Sequence, residues 1–255
     1  TPTVDGKLFY DAGNSPSSPN IMYDSQLPYS NFDNWFKGMN DADVIGESGS
    51  SNNVWDTGNG NESKIGTAMT GYNPTTPETT TVVAGKACKM FSVYINYLGG
   101  FVKKFAAGNV YLGELTGLSG FSGAKMTFGI PSEGRLPVAV MGYYNYQPGT
   151  IDYIDNEKKT GGTDSMDLYI ALATKQYSVD TTDDTTYPGG SASDLASDPN
   201  IVAYGRMTSS ETTNGYQPFY IELTYKDNLF TPSGDLYLLI TATSSKDGAQ
   251  FTGST

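Results

Sequence analysis

The chain of 255 residues has no histidine and one cysteine, and both shortages are informative. Without His there is no Ser-His-Asp or Cys-His arrangement, no imidazole general base and none of the commonest zinc ligands. A single thiol, Cys88, rules out an intrachain disulfide; the surrounding AGKACKMFS reads as a strand in which Cys88 is a small buried hydrophobe. An exported protein without disulfides fits a bacterial envelope better than a eukaryotic secretory route. Charge is also scarce: charged residues make up 16% of the chain, against roughly 25% in an ordinary soluble domain. The positive sign is the rarer, with 15 Lys and Arg against 27 Asp and Glu, so the net charge of −12 repels nucleic acid and anionic membranes. No apolar run reaches the ~18 residues of a membrane span. The chain starts at Thr1 rather than Met, so the expectation is a mature portion whose signal or lipid-anchor sequence lies upstream.

Abundant Thr, Ser, Gly, Asn and Tyr make up the palette of an extracellular β protein. The segment 105–147 carries apolar runs of strand length bounded by Gly and Pro, with aromatics crowding its last run. Strands are expected over 86–95, 109–115, 124–130, 137–147, 166–174, 200–208, 218–226 and 235–246. Met166, Leu168, Ile170 and Leu172 alternate onto one face, as do Phe219, Ile221, Leu223 and Tyr225. One buried face per strand, with no helical period, predicts an all-β antiparallel sandwich of the jelly-roll type, with an immunoglobulin-like sandwich as the alternative. Residues 1–24 read as an arm with one edge strand at 7–12, and 25–255 as the sandwich domain. Residues 27–35, where aromatics alternate with Asn and Asp, suit a first strand. The polar segments 37–77 and 177–199 read as a long loop and a second insertion that rims it.

Carbohydrate recognition asks for aromatic rings that stack on sugar faces and a few fixed hydrogen-bonding groups. Tyr143, Tyr144 and Tyr146, with Asn145, supply such a kit. Alternation puts Tyr144 and Tyr146 on one face and Tyr143 on the other, so at most one of these sets is a binding platform; the alternative is that one set is core and the other a cross-strand aromatic ladder. Trp55 either joins the platform, with Asp56 and Asn59 as hydrogen-bonding partners, or pins its loop to the sandwich. Asn109 and Arg135 complete the candidate ligand-binding set. Glycoside hydrolysis needs only two carboxylates; Glu114, Glu133, Asp152, Asp164 and Asp167 are candidates, none singled out by spacing. A structural calcium ion is the one cofactor considered, with Asp33, Asp56 and Asp164 in loops rich in oxygen donors.

Six stretches, PYSNFDNW (28–35), VWDTGN (54–59), FAAGNVYLG (105–113), GYYNYQP (142–148), IVAYG (201–205) and TSSKDGAQFTG (243–253), together resemble the putative carbohydrate-metabolism domain family of Bacteroides-type surface proteins. The resemblance implies a jelly-roll sandwich similar to carbohydrate-binding modules, exported to the outer-membrane surface or periplasm and engaged in glycan use. The chain departs from it at Arg135-Leu136-Pro137, where the family tends to carry adjacent Arg and Pro, and at Thr255, where a final strand would begin. That strand lies beyond the sequence, or the sheet edge is open and invites a partner chain. The expected function is therefore glycan binding by an exported sandwich. The alternatives are an adhesin or structural module that meets a neighbouring surface protein, and a glycoside hydrolase.

Overall fold

The computed structural model describes residues 7–11, 22–120, 123–154, 157–158, 161–226, 234–248 and 251–252. All regular pairing among them is antiparallel, and two sheets face each other across a common core. The larger sheet runs, in spatial order, Tyr177–Asp180, Gly123–Phe128, Asn109–Ser119, Tyr237–Thr243, Met166–Ala173, Ile201–Ser209 and Thr224–Tyr225, with Trp55–Asp56 paired to Asn109–Ser119 and Ile130–Pro131 to Tyr237–Thr243. The smaller runs Gln217–Glu222, Leu136–Tyr144, Lys7–Asp11 and Met22–Ser25. The architecture is the antiparallel β-sandwich that the alternating patterns predict. The expected arm contributes two of these strands, because Lys7–Asp11 pairs with Leu136–Tyr144. The last residues, 253–255, where an open edge was expected, lie outside the described residues.

The chain passes from one sheet to the other at Leu223, whose N–H donates to the Val138 carbonyl between the strands Gln217–Glu222 and Thr224–Tyr225. Backbones meet so closely at this corner that a Cβ on Gly205 would lie 2.2 Å from the Glu222 carbonyl oxygen, which explains a glycine within an otherwise well-formed strand.

The strand Met166–Ala173 is buried at all eight positions rather than at alternate ones. Leu168, Ile170 and Leu172 face the smaller sheet, as their periodicity predicts. Tyr169, Ala171 and Ala173 face the other way into a second core with Tyr111, Phe128, Tyr177, Leu195 and Tyr187. The insertion expected as a rim therefore covers the outer face of the larger sheet. Edge-to-face contacts of Phe128 with Tyr111 at 5.8 Å and with Tyr169 at 6.1 Å organise that layer. A small apolar set, Leu195 and the ring of Tyr187, was too sparse among polar residues to signal burial.

Residues 28–34 are not a strand. Tyr29 and Phe32 adopt left-handed φ values of 54° and 58°, and the Trp35 indole donates to the Phe32 carbonyl at 2.7 Å, so a compact turn replaces extension until Trp35–Lys37. The polar segment 37–77 is ordered too. It holds a hairpin of Trp35–Lys37 with Asp43–Ile45, then a network centred on Asn59. None of the helical turns among the described residues is long and apolar enough to cross a membrane.

Candidate functional site

A cavity of about 840 Å³ opens between the sheets. Val110, Leu168, Ile240 and Ala242 of the larger sheet form one wall and Val140 of the smaller forms the other, while Cys88 and Met90 close a side. Its aromatic lining comes from Phe32, Trp55, Phe91, Tyr143, Tyr144, Tyr146, Tyr216 and Phe219. Four of these were not among the expected site residues: Phe32, Phe91, Tyr216 and Phe219, the last of them expected only as part of a core face. The one available signal was glycine. Gly142 pairs with Phe219 across the smaller sheet, and a Cβ there would sit 2.9 Å from the Phe219 ring, so the missing side chain makes room for the aromatic one.

The three tyrosines expected to split between two faces all line the cavity. Tyr144 and Tyr146 lie together with Val140, as alternation predicts, and the departure is Tyr143, the penultimate residue of Leu136–Tyr144; Tyr146 follows the strand, its N–H donating to Thr213 Oγ1 at 2.8 Å. Tyr144 stands edge-on to Phe219 at 6.4 Å. Tyr146 is buried and its hydroxyl donates to the Ser244 carbonyl at 3.3 Å. Trp55 is only 6% exposed; its indole N–H donates to the Pro28 carbonyl at 2.9 Å and Phe32 packs edge-on at 5.6 Å. Of its two expected roles, the structure gives it that of a pin with one edge on the cavity.

Asp56, Asn59 and Asn109 lie outside the cavity, and the backbone takes their polar groups. The Asn59 amide donates to the Asp43 and Thr75 carbonyls and accepts from Thr75 N–H, standing in for a ladder rung between segments that do not pair directly. Asn109 accepts from Gly58 N–H and donates to the Ala107 carbonyl. Asp56 accepts from Thr57 N–H, Leu115 N–H and the Asn61 amide. Arg135 is on an exposed turn, also away from the cavity, 3.4 Å from Glu133. Such polar residues look alike in sequence whether their partners are ligand or backbone.

Burial, opposed by those three hydrogen bonds, pushes the Asp56 carboxyl up to about 6 from 3.8. In the folded state it keeps its proton where the unfolded chain releases it. Stability is therefore expected to fall as pH rises from about 4 to about 6, by up to ~3 kcal/mol. Glu78 and Asp180 act oppositely: hydroxyl and N–H donors pull both down to about 2, so their contribution is lost as pH falls below about 4. Urea denaturation at half-unit pH steps should give a maximum near pH 4–5. A profile for Asp56→Asn that keeps the decline above pH 4 would assign that decline to another group.

Asp33 and Glu78 are the carboxylates on the cavity; Asp167 also borders it, but its side chain alternates with Leu168 onto the outer face, beside Tyr169. Asp167 is gripped by Arg206 through Nε at 2.7 Å and Nη2 at 2.8 Å. Glu78 accepts N–H groups of Thr79, Thr80 and Thr81 with the Thr80 hydroxyl. Asp33 accepts from Lys86 N–H at 2.7 Å and the Asn31 amide. Of the other carboxylates considered for catalysis, Glu114 and Asp152 are exposed and Asp164 is buried, accepting from Ser165 N–H and the Ser245 hydroxyl. Asp33, Asp56 and Asp164, weighed as calcium ligands, belong to three separate networks. Among the described residues no group of three or more acidic or thiol side chains converges. Cys88, expected as a buried hydrophobe, is half-buried on the cavity wall, where desolvation pushes its thiol up to about 12.

Fold and cavity together define an antiparallel β-sandwich with an aromatic-lined space between its sheets. The chain belongs to the putative carbohydrate metabolism domain family, whose model matches residues 31–255. It is thus a carbohydrate-metabolism-related domain. A search of the curated proteins gave no match. Among solved structures it is similar to a putative glycoside hydrolase from Bacteroides thetaiotaomicron VPI-5482, at 20% identity and a TM-score of 0.65, covering 91% of this chain and 71% of that one. It is also similar to a putative glycoside hydrolase from Bacteroides vulgatus ATCC 8482, at 21% identity and a TM-score of 0.64, covering 88% of this chain and 91% of that one. At this identity the likeness is one of fold.

Proposed function

We propose that this domain binds a glycan at the cavity between its sheets and does not itself cleave it. The observation that carries the reading is the mouth of that cavity, which half-buried Tyr143, Tyr144 and Tyr216 line together with the exposed amide side chains of Asn145 and Gln147. Rings supply stacking faces and amides supply paired donors and acceptors for hydroxyls. Hydrolysis would need one carboxyl held protonated near neutral pH to act as the acid. Glu78 is shifted the wrong way, Asp167 turns to the outer face where it is committed to Arg206, and Asp56, with the raised pKa, lies outside the cavity.

The test is retention on a glycan array, followed by titration of the strongest ligand. Tyr143→Ala or Gln147→Ala should weaken binding at least tenfold with the melting temperature nearly unchanged. Reducing sugar should not be released from the bound glycan. Release that stops in Glu78→Gln or Asp33→Asn would replace binding by hydrolysis, and a wild-type protein that retains no glycan would end the reading.

A further inference from the structure

The floor of the cavity differs from its mouth. Val110, Val140, Leu168 and Ile240 there are each less than 10% exposed, and with Ala242 and Met90 they present side chains without a hydroxyl, amide or charged group. The backbone polar groups between the strands carrying Val110, Leu168 and Ile240 are used in ladder pairing. Inner faces of a sandwich normally interdigitate to crystal-like density, so an 840 Å³ space among such side chains is a receptacle rather than a packing gap. Its volume falls within the range of about 300–1,000 Å³ typical of small-molecule sites and exceeds that of a single sugar ring.

A free oligosaccharide fits the mouth but not the floor. It carries hydroxyls around its whole circumference, and every hydroxyl pressed against aliphatic carbon gives up its water without gaining a partner. A fatty-acid carboxylate fits no better: the cavity's lysines are Lys86 and Lys89 on the loop side, and Lys89 lies 3.8 Å from Glu78. Arg206 is no candidate either, since Asp167 holds it on the outer face of the larger sheet. What suits both regions is a neutral molecule with a sugar at one end and hydrocarbon at the other.

We propose that the cavity takes an amphipathic glycoside, with its sugar at the Tyr143, Asn145 and Gln147 mouth and an alkyl or acyl tail along Val110, Val140, Leu168 and Ile240. The proposal rests on the glycan reading and narrows its ligand class.

The experiment is calorimetric titration of the full chain with methyl, hexyl and octyl glycosides, with glucose and galactose headgroups, below their critical micelle concentrations, and with 1-octanol. Buried methylenes contribute about fourfold each in affinity. The octyl glycoside should therefore bind roughly fifteenfold more tightly than the hexyl one and far more tightly than the methyl one, with 1-octanol weaker than octyl glycoside. Ala242→Phe, which fills the floor, should abolish the gain with tail length. A flat series with either headgroup overturns the proposal; if array glycans are still retained, the glycan reading survives it. Equal binding of 1-octanol and octyl glycoside also overturns it, and removes the sugar from this site altogether.

Discussion

Replacing Trp55 by alanine is expected to cost about 3–5 kcal/mol, as large aromatic deletions in cores do. In a chain of this size that corresponds to a fall in melting temperature of roughly 10 °C. The ring joins three parts of the molecule. Its strand, Trp55–Asp56, pairs with Asn109–Ser119; its N–H holds the Pro28 carbonyl; its face meets Phe32, itself fixed at a φ of 58°. Alanine leaves a void at the cavity wall and an unpaired carbonyl, and the 28–34 turn loses its anchor. Trp55→Phe keeps most of the packing and should cost less than half as much. Guanidinium denaturation of the three proteins decides the matter. If Trp55→Ala falls within ~1 kcal/mol of wild type while losing glycan retention, Trp55 is a binding platform and the assignment as a pin is wrong.

Arg206→Ala is expected to be nearly as damaging, at about 3 kcal/mol, because it strands the Asp167 carboxylate at 4% exposure. Arg206 grips Asp167 with two N–H groups, donates to the Ser193 carbonyl at 2.9 Å and lies 5.8 Å from the Tyr169 ring centre. It thus ties the 181–200 insertion to the sheet beneath it, and the variant should be nicked by protease within that insertion faster than wild type. The cost belongs to the uncompensated charge rather than to the attraction itself. Changing both residues to leucine should recover most of the lost stability, since replacing both partners of a buried pair with apolar groups is often neutral. A double variant no more stable than Arg206→Ala would show that lost packing or the Ser193 bond dominates.

These two residues show where a sequence stops being legible. Both tryptophans and every arginine are visible at once, yet nothing near Trp55 says that Pro28, 27 residues earlier, holds its indole. The same is true of Asn59 with Thr75 and of Gly58 with Asn109, 51 residues apart. The expected site mixed residues of two kinds for this reason. Tyr143, Tyr144, Tyr146 and one edge of Trp55 reach the cavity, while Asp56, Asn59 and Asn109 serve as cross-braces of a segment too polar to be held by hydrophobic packing.

By itself the sequence determined the fold class, the positions of the long strands and the chemistry that is excluded. Alternation along a strand is a local property, imposed by the pleat on each pair of neighbouring residues, and an absent imidazole is absent in any conformation. Tertiary structure alone decided that the central strand Met166–Ala173 is covered on both faces, that residues 181–200 form the second cover, and that the sheets stand apart to leave an aromatic-mouthed cavity. Those outcomes depend on which surfaces meet across tens to more than a hundred residues of chain, and a side chain carries no local record of its distant partner.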